Sequence, residues 1–142
     1  MFGKASQPFA RFGLEWARYK MHKSDLPTGT VTFLFTDIEG STQKWVKYPK
    51  TMLSAVTRHY SVLRGAIEAS GGHVVKLSGD GLYAVFARAT DAVAAAIDAQ
   101  RALTAEVWGE TGPLKARMSL GTGEVERFDD DYYGAVLSLA SR

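Results

Sequence analysis

Val31-Thr32-Phe33-Leu34-Phe35-Thr36-Asp37-Ile38-Glu39-Gly40-Ser41-Thr42 is the run on which the fold turns. Its first five residues are β-branched, aromatic or aliphatic, the composition of a buried strand. The strand ends in Thr36-Asp37, and Gly40-Ser41-Thr42 opens a helix with Ser41 or Thr42 as the expected N-cap. Pro49 breaks and restarts that helix. Leu53, Val56, Tyr60, Leu63 and Ile67 then form one apolar helical face, and Gly71-Gly72 stops it. Residues 73–78 and 82–87 read as two strands around Gly79-Asp80-Gly81, a short-hairpin signal. Thr90 or Asp91 is the expected cap of an Ala-rich helix running to about Trp108. A further strand covers 116–121, and 124–128 either extends it or pairs back on it. After the acids at 129–131, a helix is expected from Tyr132 onward. The order βαββαβ predicts an α+β, ferredoxin-like sandwich: an antiparallel-rich sheet with helices packed on one face.

The chain has 142 residues, 46% hydrophobic and 23% charged, with 16 aromatics and no Cys. That length suits one domain with a real core, and the composition excludes disorder, a disulfide framework and any cysteine nucleophile. With no oxidising signature, no apolar leader in residues 1–8 and no run of roughly 18 apolar residues, a cytoplasmic protein is expected. Charge is uneven: residues 1–24 sum to +4 and residues 25–142 to −2. No continuous basic stripe of a nucleic-acid binder runs through the second part. Leu26-Pro27-Thr28-Gly29-Thr30 marks a boundary, dividing a basic segment (1–30) from the domain proper (31–142). In the first, Phe9, Phe12, Trp16 and Tyr19 fall on one helical stripe with basic residues between. Such a stripe more often docks on protein than on an anionic membrane surface, so a docked or linker helix is the favoured reading.

Two acids stand out by position. Asp37 ends the first strand and Asp80 sits at the hairpin tip, and a first strand lying beside the hairpin brings them to one edge of the sheet. Paired carboxylates are hard ligands for magnesium or manganese, which in turn bind phosphate oxygens. Between them, the backbone N–H groups of Ile38, Glu39, Gly40, Ser41 and Thr42 face a polyphosphate if they line a helix start. Taken singly, Asp37 is only a capping residue and Asp80 only a turn former. Lys76, Asp131 and Arg142 carry no signal alone. His22, His59 and His73 lack metal-ligand spacing, and no P-loop pattern occurs.

The run 31–42 resembles the opening motif of class III nucleotidyl cyclase domains, of the bacterial, mycobacterial-like branch. Gly72-His73-Val74-Val75-Lys76-Leu77-Ser78-Gly79-Asp80-Gly81 is similar to their central hairpin, Met118-Ser119-Leu120-Gly121-Thr122-Gly123-Glu124 to the following strand, and Asp131-Tyr132-Tyr133-Gly134 to the motif after it. The resemblance implies that Asp37 and Asp80, with the Ile38 carbonyl, bind two divalent cations, Mg2+ or Mn2+. It implies Lys76 and Asp131 as base-selecting residues, Arg142 as the transition-state arginine, and conversion of ATP to 3′,5′-cyclic AMP and pyrophosphate. The implied active site lies across a homodimer interface, metal aspartates from one subunit and base-selecting and transition-state residues from the other. ATP over GTP also follows chemically. Adenine offers an acceptor at N1 and a donor at N6, matching a Lys that only donates and an Asp that only accepts.

Two departures stand against this pattern. The ribose-orienting Asn expected four residues before Arg142 is Ser138, a shorter side chain whose cost is up to about 10²–10³ in rate. The family's domains also continue past the position of Arg142 through further sheet, helix and a phosphate-contacting Lys, so the shortened form is expected to be a homodimer or a monomer with an incomplete interface. An adenylate cyclase is the first reading. A cyclase-derived nucleotide-binding or regulatory module with poor turnover is the second.

Overall fold

Gly29–Ile38 forms β1 at the centre of a five-stranded sheet, and its alternation explains why its sequence is apolar throughout. Leu34 looks to one face, while Val31, Phe33 and Phe35 look to the other, and both faces are covered. The computed structural model describes residues 26–129 and 131–140. The N-terminal stripe of Phe9, Phe12, Trp16 and Tyr19, and Arg142, lie outside the described residues.

The elements follow as β1, α1 (Ser41–Lys47), α2 (Met52–Ala69), β2 (His73–Ser78), β3 (Gly81–Phe86), α3 (Ala89–Ala105), a 3-10 turn (Gly109–Thr111), β4 (Ala116–Phe128), β5 (Asp131–Tyr133) and α4 (Ala135–Ala140). Every strand pair is antiparallel, in the order β2-β3-β1-β4-β5. The first strand does lie beside the hairpin, with Asp37 opposite Gly81. On one face α2 and α3 pack through Leu63, Ile67, Ala92, Ala95, Ala99 and Leu103 onto Leu34, Val74, Ala84 and Phe86. The alanines let α3 approach closely. The opposite face carries a second cluster of Val31, Phe33, Val75, Val85, Val125 and Tyr132, closed by Val136 of α4.

Three local expectations are corrected, and the open choice for 124–128 is resolved. Gly40, in the left-handed conformation at φ 65°, caps α1, so neither Ser41 nor Thr42 does. Arg88 occupies the N-cap position of α3, Thr90 and Asp91 lie inside its first turn, and the helix ends at Ala105 because Glu106 is extended. β4 is one 13-residue strand, so 124–128 extends it. Tyr132 is in a strand, paired with Arg127, because its ring is buried edge-on to Phe33 at 5.3 Å and its hydroxyl donates to the Pro27 carbonyl at 2.7 Å. The helix begins only at Ala135.

His59 of α2 is fully buried beside the rings of Tyr60 and Trp108. Neither ring nitrogen makes a hydrogen bond of normal geometry with a described residue, and burial pushes the imidazole down to about 4 against a weaker pull from the Leu114 backbone. The native state therefore holds His59 neutral. Its folded pKa lies below the unfolded value, so stability is retained above about pH 6.5 and lost as pH falls toward 4, by about 3 kcal/mol in all. Urea midpoints measured from pH 7.5 to 4.5 should decline over that window, and His59→Leu should flatten the slope.

Candidate active site

At the C-terminal end of β1 the chain has three neighbours: the hairpin turn, the start of β4 and the start of α1. The Ile38 N–H donates to the Asp80 carbonyl at 3.1 Å, which ties the Asp37 end of β1 to the hairpin tip. Tyr60 of α2 holds that tip from below, its hydroxyl donating to the Gly79 carbonyl at 2.5 Å. Burial, and the Asp80 charge in second place, raise Tyr60 to about 12 and keep it a donor. Because Gly40 caps α1, the Ser41 hydroxyl is free for another partner, and it donates to Oδ2 of Asp80. Asp37, Asp80 and Ser41 are thus brought together.

Arg117 of β4 sits directly opposite Asp37 in register. Its guanidinium donates to both carboxylate oxygens, Nε to Oδ1 at 2.8 Å and Nη2 to Oδ2 at 2.6 Å. That pair raises the Arg117 pKa, with smaller contributions from Glu39 and Asp80. Both partners are substantially solvated, so the pair contributes little to stability and can exchange partners. Sequence reasoning missed Arg117. A strand arginine looks like a solvated side chain until its register against Asp37 is known.

Alternation places Phe35, Asp37, Tyr83, Arg117 and Ser119 on one face, the one opposite α2 and α3. Six of the seven residues lining an open groove of about 390 Å3 there are Phe35, Asp37, Arg117, Met118, Ser119 and Ala140. Lys76 reaches this face through a β-bulge. The register shifts between Val74 and Lys76, which sets Lys76 opposite Tyr83 rather than on the helix-covered side. Asp131, on β5 at the far edge, is joined to the same tyrosine: the Tyr83 hydroxyl donates to Asp131 Oδ1 at 2.9 Å. Lys76 and Asp131 thus share one intermediary.

The remaining expected residues are placed less tightly. The N–H groups of Ile38 and Glu39 are taken by the carbonyls of Asp80 and Lys115, so they do not face an open phosphate site. Thr42 is exposed on α1. Ser138 is exposed on α4, which lies over Gly121 and Gly123 because neither has a Cβ; one added there would fall 2.9 Å from Ala140 and 3.0 Å from Val136, respectively. Arg142 lies outside the described residues.

The donor set fits a hard divalent cation. Two carboxylates at neighbouring backbone positions suit Mg2+ or Mn2+, which keep waters and take substrate phosphates for their other positions, and Asp37 would exchange the solvated Arg117 guanidinium for the cation. Among the described residues no group of three or more His, Asp or Glu side chains forms a complete protein cage. No helix among them is long and apolar enough to cross a membrane.

Residues 24–142 match the profile of the Adenylate and Guanylate cyclase catalytic domain. An uncharacterized protein of Mycobacterium tuberculosis is 38% identical over 118 residues, covering 82% of this chain and 39% of that protein. An adenylate cyclase of Podospora anserina is 31% identical over 141 residues, covering 82% of this chain and 7% of that protein. The chain therefore spans well under half the length of these relatives. The fold superposes with a TM-score of 0.80 on a structure of Trypanosoma brucei adenylate cyclases in their monomeric state, at 24% identity, covering 85% of this chain and 71% of that one. With its sheet order and a match over the whole of its described length, the chain belongs to the adenylate and guanylate cyclase catalytic domain family.

Proposed function

We propose that this chain is the catalytic part of an adenylate cyclase, converting ATP to 3′,5′-cyclic AMP and pyrophosphate. The observation that carries the reading is the meeting of Asp37 and Asp80 at one end of the sheet, on an open face, with Arg117 beside them. In the reaction the ribose 3′-oxygen bonds to the α-phosphorus, the α-phosphorus bond to the oxygen bridging to the β-phosphate breaks, pyrophosphate leaves with that electron pair, and the hydroxyl proton passes to solvent water. Asp37 and Asp80 would hold two divalent cations, with the Ile38 carbonyl as a further ligand. Bound there, such cations neutralise phosphate charge and acidify the attacking hydroxyl.

The protein's own groups do the positioning. Arg117 is a forked donor that suits phosphate oxygens as well as a carboxylate, and it takes phosphate charge from its place on β4. The backbone of Gly40-Ser41-Thr42 is what remains of the expected cradle, since Ile38 and Glu39 are already paired. Lys76 donates to adenine N1 and Asp131 accepts from the N6 amino group. Guanine, with donor and acceptor reversed, leaves both unpaired. Ser138 stands where a ribose-orienting amide is expected and lowers the rate, and Arg142 steadies the transition state at the phosphate. A homodimer supplies the two sets of residues from opposite subunits. Apolar side chains left exposed on β4, β5 and α4, namely Leu120, Phe128, Tyr133 and Leu139, favour that arrangement.

The test is product identification. The chain is incubated with Mn2+ and either ATP or GTP at several protein concentrations, and products are separated chromatographically. Cyclic AMP and pyrophosphate in equal amounts, with specific activity rising with concentration, are expected. Nucleotide bound but returned intact supports the regulatory-module reading, which the tie between Arg117 and Asp37 favours. Cyclic GMP as the main product overturns the roles given to Lys76 and Asp131.

A further inference from the structure

We propose that Tyr83 is a specificity-determining positioning residue: its hydroxyl fixes the carboxylate of Asp131 and sets it in register with Lys76. The inference rests on the assignment of Lys76 and Asp131 as the base-reading pair and explains how two residues from opposite edges of the sheet are held in one arrangement.

Asp131 needs such a hold. It opens β5, a strand of only three residues at the sheet edge, just after Asp129, a non-glycine residue at φ 52°. Short edge strands are the least cooperative part of a sheet and do not by themselves fix a side chain. Lys76 lies on the other edge strand, β2, with β3, β1 and β4 between it and β5. Tyr83, on β3, is directly opposite Lys76, and its side chain lies against Phe35 of β1 and reaches Asp131.

The tyrosine is itself well fixed. Its ring stacks on Phe35 with centroids 5.3 Å apart and planes 20° from parallel, and meets Phe33 edge-on at 6.1 Å. Phe33 in turn packs edge-on against Tyr132, the neighbour of Asp131. A rigid aromatic cluster therefore determines where the phenolic oxygen lies. The Tyr132 N–H also donates to Asp131 Oδ1, at 2.9 Å. Both bonds fall on the same oxygen, and among the described residues none reaches Oδ2, so Oδ2 is the oxygen left to accept from an exocyclic amino group. The hydroxyl thus selects the rotamer in which Asp131 reads a base. Packing alone requires only the ring, and phenylalanine would supply that.

The test uses Tyr83→Phe, which keeps the ring and removes the hydroxyl, together with Asp131→Ala and the double variant. Dissociation constants of the intact chain for fluorescent ATP and GTP analogues are measured with Mn2+. In Tyr83→Phe the preference for the ATP analogue should fall about tenfold, the usual scale for losing one hydrogen bond to a charged group. Asp131→Ala should lose at least as much, and the double variant no more than Asp131→Ala, since Tyr83 acts through Asp131. If Tyr83→Phe weakens both analogues equally, leaves the ratio unchanged, or adds fully to Asp131→Ala, Tyr83 is structural only and the proposal is overturned. An unchanged ratio in Asp131→Ala instead overturns the base-reading pair on which it rests. Failure of the unaltered chain to bind either analogue overturns the nucleotide-site reading itself.

Discussion

Asp80→Ala is expected to reduce cyclic nucleotide formation by about a thousandfold or more, the scale for removing a group that stabilises charge at the reacting phosphate. The loss should be chemical rather than structural. The hairpin tip is held through its backbone, by Tyr60 on the Gly79 carbonyl and by the Ile38 N–H on the Asp80 carbonyl, and neither bond involves the carboxylate. Among the described residues, the one side-chain bond lost is that from Ser41. Asp37→Ala should cost as much, although it also frees Arg117 from its partner. Initial rates with Mn2+, alongside thermal unfolding of each variant, check this. An inactive Asp80→Ala with an unchanged midpoint is the expected result. Ser41→Ala should lower the rate far less, because it orients a carboxylate that remains present.

Gly72→Ala is the substitution expected to damage the fold most. A Cβ built there lies 2.3 Å from Cε1 and 2.5 Å from Cζ of Phe86. Phe86 is fully buried among Leu63, Ile67, Val74 and Ala84 and has nowhere to move. Forcing backbone or ring aside should cost about 3 kcal/mol, the upper end for overpacking a core. In a domain of this size that lowers the melting temperature by roughly 10 °C. Gly71→Ala is the natural comparison. Gly71 has open space around it but a φ of 78°, so only conformational strain is incurred, about 1 kcal/mol. Adjacent glycines that look like one helix stop thus serve two different physical ends.

The difference between those glycines shows where the sequence is readable and where it is not. Local patterns carried β1, the hairpin and the apolar face of α2 from Val56 to Ile67, because each depends on residues close together in the chain, whereas Leu53, expected on that face, is exposed and Met52 is buried in its place. They also brought Asp37 and Asp80 together, since one antiparallel neighbour was enough. What escaped depends on contacts made at a distance. Gly121 and Gly123 look like breaks in a strand, yet β4 runs through them because α4 lies against their missing side chains. Tyr132 reads as a helix start, but its burial against Phe33 and its bond to Pro27 hold it in a strand. The bulge that turns Lys76 toward Tyr83 has no proline or glycine to announce it. Arg117 was invisible for the same reason, its meaning residing wholly in the residue across from it. The family resemblance named Lys76 and Asp131, and the geometry adds the tyrosine between them.

The most direct test of the carboxylate pair as the metal–nucleotide site is a Mn2+ titration followed by electron paramagnetic resonance, with and without ATP. It needs no turnover, so a slow chemical step does not affect it. The unaltered chain should bind Mn2+ more tightly in the presence of ATP, and Asp37→Asn and Asp80→Asn should each weaken that binding at least tenfold, about 1.4 kcal/mol. Undiminished binding of Mn2+ with ATP by both variants would contradict the assignment of this end of the sheet as the site of chemistry.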